Sequence, residues 1–267
     1  MKNILLLVHD DTGQEARFQA ALDLGRAVGG HLSCLDVSIM PAYLGGDGFG
    51  GFPATALLAE EREREDENRT RLESRLGHED VPWDWTAITG ALAPCLMDAS
   101  ALADVIVVNR QLDDYPVPDM RAAVSELVVK SGKPVLAVPP DLKRLDLSRA
   151  MIAWDGSPCS AAALRAAVPL LRLADQVTIL EVEDGSVHPP VEEAATYLSR
   201  EGIHATIRRA ARTGERTAAI IVKQASLISA GYIVMGGFGH RRFVEALFGG
   251  TTRSLLSNSP LPLFLAH

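Results

Sequence analysis

Short, wholly apolar runs alternate with longer amphipathic stretches along the first half of the chain. Asn3–Val8 (NILLLV) is apolar at nearly every position, the pattern of a strand buried on both faces of a parallel sheet. Gln14–Val28 then sets Ala16, Ala20, Ala21, Leu24 and Val28 at helical spacing, and Gly29-Gly30 stops it. His31–Val37 reads as the next strand, Gly45–Gly51 as a loop and Glu60–Arg75 as a charged helix. Val81–Ile88, Leu92–Leu102, Asp104–Val108, Met120–Lys130 and Pro134–Val138 continue as strand, helix, strand, helix, strand. This alternation predicts βαβ units and a parallel sheet.

The second half repeats the pattern. With Asp10 set on Asp155, Leu7–Val37 falls on Ile152–Val182 without a gap at an offset of 145, and Lys133–Leu136 falls on Leu261–Phe264 at an offset of 128. Both halves carry a small turn before the third helix, Thr89-Gly90-Ala91 and Thr213-Gly214-Glu215. An internal duplication follows, with one unit over residues 1–140, a second over 148–267 and a linker at Pro139–Leu147, where Pro139-Pro140 breaks the last strand. Each unit is long enough for its own α/β core. The edge strands Pro134–Val138 and Leu261–Ala266 are expected to pair the two halves into a pseudo-twofold monomer, with further homodimerisation open.

Composition narrows the function classes. Of 267 residues 47% are hydrophobic and 22% charged, which is ordinary globular usage. The formal net charge of −8 argues against a general grip on nucleic acid or an anionic membrane. Cys34, Cys95 and Cys159 are widely spaced, so neither a disulfide framework nor a zinc finger is suggested, and a reducing cytoplasm is expected. No apolar run approaches the ~20 residues of a membrane span, and the N-terminal run is too short for a signal-peptide core.

Tyr232–Arg253 (YIVMGGFGHRRFVEALFGGTTR) carries the most chemistry. A strand runs into Gly236-Gly237-Phe238-Gly239, and Gly249-Gly250-Thr251-Thr252 leads into an amphipathic stretch. Glycines leaving a parallel strand let backbone approach a ligand, and amides at the next helix start can face phosphate oxygens. Thr251 and Thr252 can add hydroxyls, and Arg241, Arg242 and Arg253 can offset charge. The same glycines read equally as tight turns. The paired element, Met151–Ala163, sets Asp155 at a strand end before Ser157-Pro158, an N-cap followed by Pro at the first helical position. Asp155 can accept from a ribose hydroxyl or a base amine in a crevice shared with Gly236–Gly239. It can also serve only as a helix cap.

Gly236, Gly239 and Gly249 fit the G-x2-G-x9-G signature of the universal stress protein family, and with Asp155 and the duplicated pattern the chain resembles a tandem member of it. That resemblance implies an α/β fold of two five-stranded parallel sheets, Rossmann-like and similar to the adenine nucleotide alpha hydrolases, each in the order 3-2-1-4-5. It also implies ATP as a ligand, accompanied by Mg2+ held mainly by the phosphates. Asp155 and Val182 would contact adenosine, Met235 and Gly236 would flank it, and Gly239, Gly249, Gly250 and Thr251 would hold phosphates. His240 adjoins them, and Thr252 can join Thr251 where the family pattern has a hydroxyl residue and this chain has Gly250. The first half departs further. It has no glycine from Val105 to Lys130, and Asp113, Asp114 and Asp119 would repel phosphate, so no ATP is expected there and Asp10 is left as its only strand-end match.

Other signals are weaker. Gly45–Gly51 lacks the lysine and hydroxyl of a P-loop. Glu60–Arg75 reads as a solvated face with i,i+4 pairs. The histidines show no metal spacing, and Ser157 has no nucleophile elbow. Three readings follow: a nucleotide-responsive stress protein in which any ATP hydrolysis is slow for want of a catalytic base; a scaffold whose glycines are structural; and an adenylate-transferring enzyme, which would want an S-G-G-x-D-S-like loop that neither strand end supplies.

Overall fold

The computed structural model describes residues 1–39, 54–111, 119–183, 189–212, 214–239 and 250–267. In chain order the first half contains β1 (Asn3–Val8), α1 (Gln14–Val28), β2 (His31–Ile39), α2 (Ala54–Leu76), β3 (Trp83–Gly90), α3 (Leu92–Ala99), β4 (Val105–Asn109), α4 (Met120–Lys130) and β5 (Val135–Val138). The second contains β6 (Arg149–Trp154), α5 (Pro158–Leu171), β7 (Gln176–Glu183), α6 (Val191–Arg200), β8 (Ala205–Ala211), α7 (Thr217–Leu227), β9 (Tyr232–Gly236), α8 (Gly250–Asn258) and β10 (Leu263–Ala266). Among the described residues no helix is long and apolar enough to cross a membrane.

The strands form one ten-stranded sheet in the order β3-β2-β1-β4-β5-β10-β9-β6-β7-β8. Each half is parallel and runs 3-2-1-4-5 in its own numbering. The halves join where β5 and β10 pair antiparallel, Leu136 opposite Phe264. The apolar layers cross this seam. Leu136, Val138, Phe264 and Ala266 share one core, and Val135, Ala137, Leu263 and Leu265 share the other. Two edges that would otherwise expose unpaired backbone are thereby closed on each other.

The duplication holds with one correction. β7 follows β2 at the expected offset of 145, but β6 follows β1 at 146, since Asn3 corresponds to Arg149. The faces agree with the latter: Ile4, Leu6 and Val8 enter one core with Ala150, Ile152 and Trp154, while Leu5 and Met151 enter the other. The crossover after β1 is therefore one residue longer, and His9, not Asp10, corresponds to Asp155.

Candidate functional site

β6 and β9 are neighbours, and the chain leaves them in opposite directions across the sheet, toward β7 and toward β10. Ligands of open α/β sheets bind beyond the strand ends at such a switch point. A cavity of about 260 Å³ opens there, just below the ~300–1,000 Å³ range of ligand pockets. Its floor is apolar, formed by Leu180, Val182, Ile221 and Met235. Its rim is polar, formed by Asp155, Ser157, Thr217, Thr251 and Thr252, with the backbone of Gly236, Gly239 and Gly250 between.

Local sequence builds this rim. Ser157 caps α5 by accepting from the Ser160 amide at 3.1 Å, and Pro158 follows at the first helical position. The exposed Asp155 accepts from the Ser157 amide through Oδ1 at 2.9 Å, which leaves Oδ2 for another donor. Gly156 between them has φ +71°, a conformation that favours glycine. Gly250, Thr251 and Thr252, the first described residues of α8, line the cavity edge.

The glycines divide into two kinds. A Cβ on Gly236 would stand 2.4 Å from the Ser160 amide nitrogen and 2.6 Å from the Cys159 carbonyl carbon. Gly236 is thus required for β9 to touch the start of α5, whatever binds nearby. A Cβ on Gly237 would meet Val128 at 2.8 Å, so this glycine packs against α4. Gly239 is looser: a Cβ there would lie 3.3 Å from Cys159 Sγ, and one on Gly250 would have nothing within 4 Å. These last two keep the cavity open.

Of the residues expected from sequence, Asp155, Val182, Met235, Gly236, Gly239, Gly250, Thr251 and Thr252 line this one cavity. His240, Arg241, Arg242 and Gly249 lie outside the described residues, as do Gly45–Gly51, Asp113 and Asp114. Arg253 faces a neighbouring groove with Arg121 and Lys130. Sequence reasoning missed Thr217, although the Thr213-Gly214-Glu215 turn was a signal that a helix start lies there. It also missed Phe238, held at φ +58° on the cavity wall, a strained conformation for a side-chain-bearing residue. His267 Nδ1 lies 2.8 Å from the Gly237 carbonyl and 3.4 Å from Cys159 Sγ, pinning the chain end beneath the glycine turn.

The equivalent crevice of the first half is filled by its own side chains. Arg17 is fully buried and donates to the carbonyls of Leu7 at 3.1 Å and His9 at 2.9 Å, to Asp11 Oδ1 at 2.9 Å, and to Asn109 Oδ1. Asn109 ends β4 where Gly236 ends β9. His9 Nδ1 lies 2.8 Å from Glu65 Oε1, and Glu65 also accepts from the Asp10 amide at 3.0 Å. Burial raises the Glu65 carboxyl, but the hydrogen bond from His9 and the donors Asp10 and Asn68 outweigh it and hold it below the usual range.

Side chains of the first half named from sequence take partners within the chain. Asp10, the expected strand-end match, pairs with Arg71 at 2.9 Å. α2 has the expected solvated face, with an i,i+4 pair between Arg69 and Glu73 at 2.8 Å, but it also buries Glu65 and Asn68, each 1% exposed, and Asn68 exchanges amide hydrogen bonds with Gln14 at 2.7 and 2.8 Å. Asp119 caps α4 by accepting from the Ala122 amide at 3.0 Å.

Among the described residues, a duplicated, doubly wound α/β sheet carries an open cavity at the strand ends of its second half. Residues 147–267 match the model of the universal stress protein family. The whole fold resembles a universal stress protein from Archaeoglobus fulgidus DSM 4304 at 20% identity, with a TM-score of 0.76, over 99% of this chain and 95% of that one. A protein of unknown function from Pseudomonas aeruginosa PAO1 matches at 16% identity and a TM-score of 0.60, over 100% of this chain and 92% of its own. Both likenesses extend across the two halves. No curated protein matches the chain.

Proposed function

We propose that the chain is a cytoplasmic universal stress protein that binds ATP or a related adenine nucleotide in its second unit, residues 148–267, while the first unit, residues 1–140, takes none at the equivalent place. The observation that carries this reading is the 260 Å³ cavity at the β6/β9 switch point. Its donor set fits an adenine nucleotide: an apolar slot for a base, a carboxylate for a ribose hydroxyl or base amine, and helix-start amides with threonine hydroxyls for phosphate. Asp155 and Val182 would hold the adenosine end, with Met235 and Gly236 beside it. Gly239, Gly250, Thr251 and Thr252 would hold the phosphate end, joined by Gly249 and His240. Mg2+ would enter with the phosphates. Occupancy would alter conformation or partner affinity in a stress response, and among the described lining residues no histidine or glutamate stands ready as a hydrolytic base.

The test is equilibrium titration of the purified chain with ATP. Gly239→Val directs a branched side chain at Cys159 and Ser157 at the cavity edge and should weaken binding at least roughly tenfold, about 1.4 kcal/mol. Unchanged affinity in this variant would contradict the reading. A scaffold function is favoured by one observation: Gly236 and Gly237 are explained by packing alone. That alternative gains if no adenine nucleotide binds.

A further inference from the structure

The first half gathers its own chemistry at the strand ends, independently of any nucleotide in the second. His9 follows β1, and Glu61 and Glu65 lie one turn apart on the face of α2 turned toward it. Their ligand atoms, His9 Nδ1 and one carboxylate oxygen of each Glu, all lie within 4.8 Å of one another. From Nδ1 the distances are 2.8 Å to Glu65 and 3.7 Å to Glu61. Tetrahedral ligands at bond lengths of about 2.0–2.2 Å stand roughly 3.3–3.6 Å apart, so the observed separations bracket those around a single ion. The other Glu61 oxygen accepts from Arg64 at 2.6 Å, and Oε1, the oxygen nearer His9, accepts only a long hydrogen bond from the Ile39 amide at 3.4 Å.

Asp36 supplies a second, independent observation. It is 3% exposed, and its Oδ1 has no hydrogen-bond partner among the described residues. On β2 it stands opposite Val8, the residue before His9. It points to the same side of the sheet as Leu32 and Cys34, the face that α2 covers with Leu72 and Leu76. Asp36 is thus a buried carboxylate on the sheet face that α2 covers, with one oxygen unused. Arg64 offsets part of this charge, 2.6 Å from Glu61 and 3.9 Å from Glu65, and a metal cation among the carboxylates would offset more.

We propose that His9, Glu61 and Glu65, backed by Asp36, form a site for one first-row divalent cation, Zn2+ by its mixed imidazole and carboxylate donors. Binding replaces the proton on His9 Nδ1 with the ion and releases that proton to solvent. Docking of α2 on the sheet then becomes metal-dependent in the half that lacks an open crevice.

The test uses the full chain, stripped with chelator and titrated with ZnCl2 in the absence of nucleotide. One equivalent should bind saturably and raise the thermal midpoint. Co2+ in its place should give visible ligand-field bands without thiolate-to-cobalt charge transfer, since no cysteine belongs to the cluster. His9→Gln and Glu61→Gln should each weaken Zn2+ binding at least tenfold. Glu61 is the cluster member nearest solvent, so Glu61→Gln, with its fold checked by circular dichroism, decides the matter even where His9→Gln does not fold. Absence of stoichiometric binding, wild-type affinity in folded Glu61→Gln, or a thiolate signature in the cobalt spectrum would each overturn the proposal.

Discussion

The two strand-end crevices share a backbone plan and differ in what occupies them. In the second half β9 ends in Gly236, whose missing side chain lets α5 close against the strand while Gly239 and Gly250 leave a space beyond. In the first half β4 ends in Asn109, whose amide oxygen meets the buried Arg17, and α2 lowers Glu65 onto His9. Exchange of glycine for asparagine at one strand end, and of aspartate for histidine at its neighbour, accompanies the change from an open cavity to a closed polar network. The network fills with side chains the space where the other half offers backbone. A duplicated fold can therefore close one strand-end crevice with side chains while leaving the other open.

The largest expected effect lies in the filled half. Arg17→Ala leaves Asp11 and Asn109 buried without their partner and should cost about 3–5 kcal/mol in a urea melt; a loss under 1 kcal/mol would mean that the network is not closed. Next comes the packing glycine. Gly236→Ala drives a Cβ into the first turn of α5 and should cost about 1–3 kcal/mol, whereas the same substitution at Gly250, where space is open, should leave the melt within about 0.5 kcal/mol. Equal effects at the two positions would erase the division between packing and cavity glycines. Ser157→Ala removes the α5 cap on the rim and should cost about 1 kcal/mol.

The smallest effect is a pH dependence. The hydrogen bond from Arg75, opposed by partial burial, holds Glu15 at about 2 instead of 4.5. A lowered carboxyl stabilises the fold above its unfolded value and loses that contribution as pH falls from about 4.5 toward 2. The thermal midpoint of Arg75→Met should fall less steeply over that window than that of the wild type, and parallel slopes would remove Glu15 from the account.

Much of this was legible in the chain. Alternating apolar runs and amphipathic stretches marked the strands and helices of a parallel sheet, its order followed from the family resemblance, and the edge strands named from their sequence are the ones that pair at Leu136 and Phe264. Asp155 and Gly239 line one cavity because β6 and β9 are neighbours, and Gly250 and the two threonines, expected there from the family resemblance, line it as well. The one-residue slip at β1 has a physical cause: Ile4–Val8 is apolar on both faces, so it lacks the alternation that fixes which residue faces which side. Arg17 and Glu65 were hidden for a different reason. A charged residue in a helical pattern reads as solvent-facing unless its partners are known, and these partners, the Leu7 and His9 carbonyls and the His9 ring, lie at the end of a strand that the helix pattern does not reveal.

Isothermal titration of the intact protein with ATP, read for stoichiometry, tests the contrast most directly. One nucleotide per chain, lost in Gly239→Val and retained in Arg17→Lys, is the predicted result. Two equivalent sites, or heat unchanged by the Gly239 substitution, would contradict the assignment of the open crevice to the second half alone.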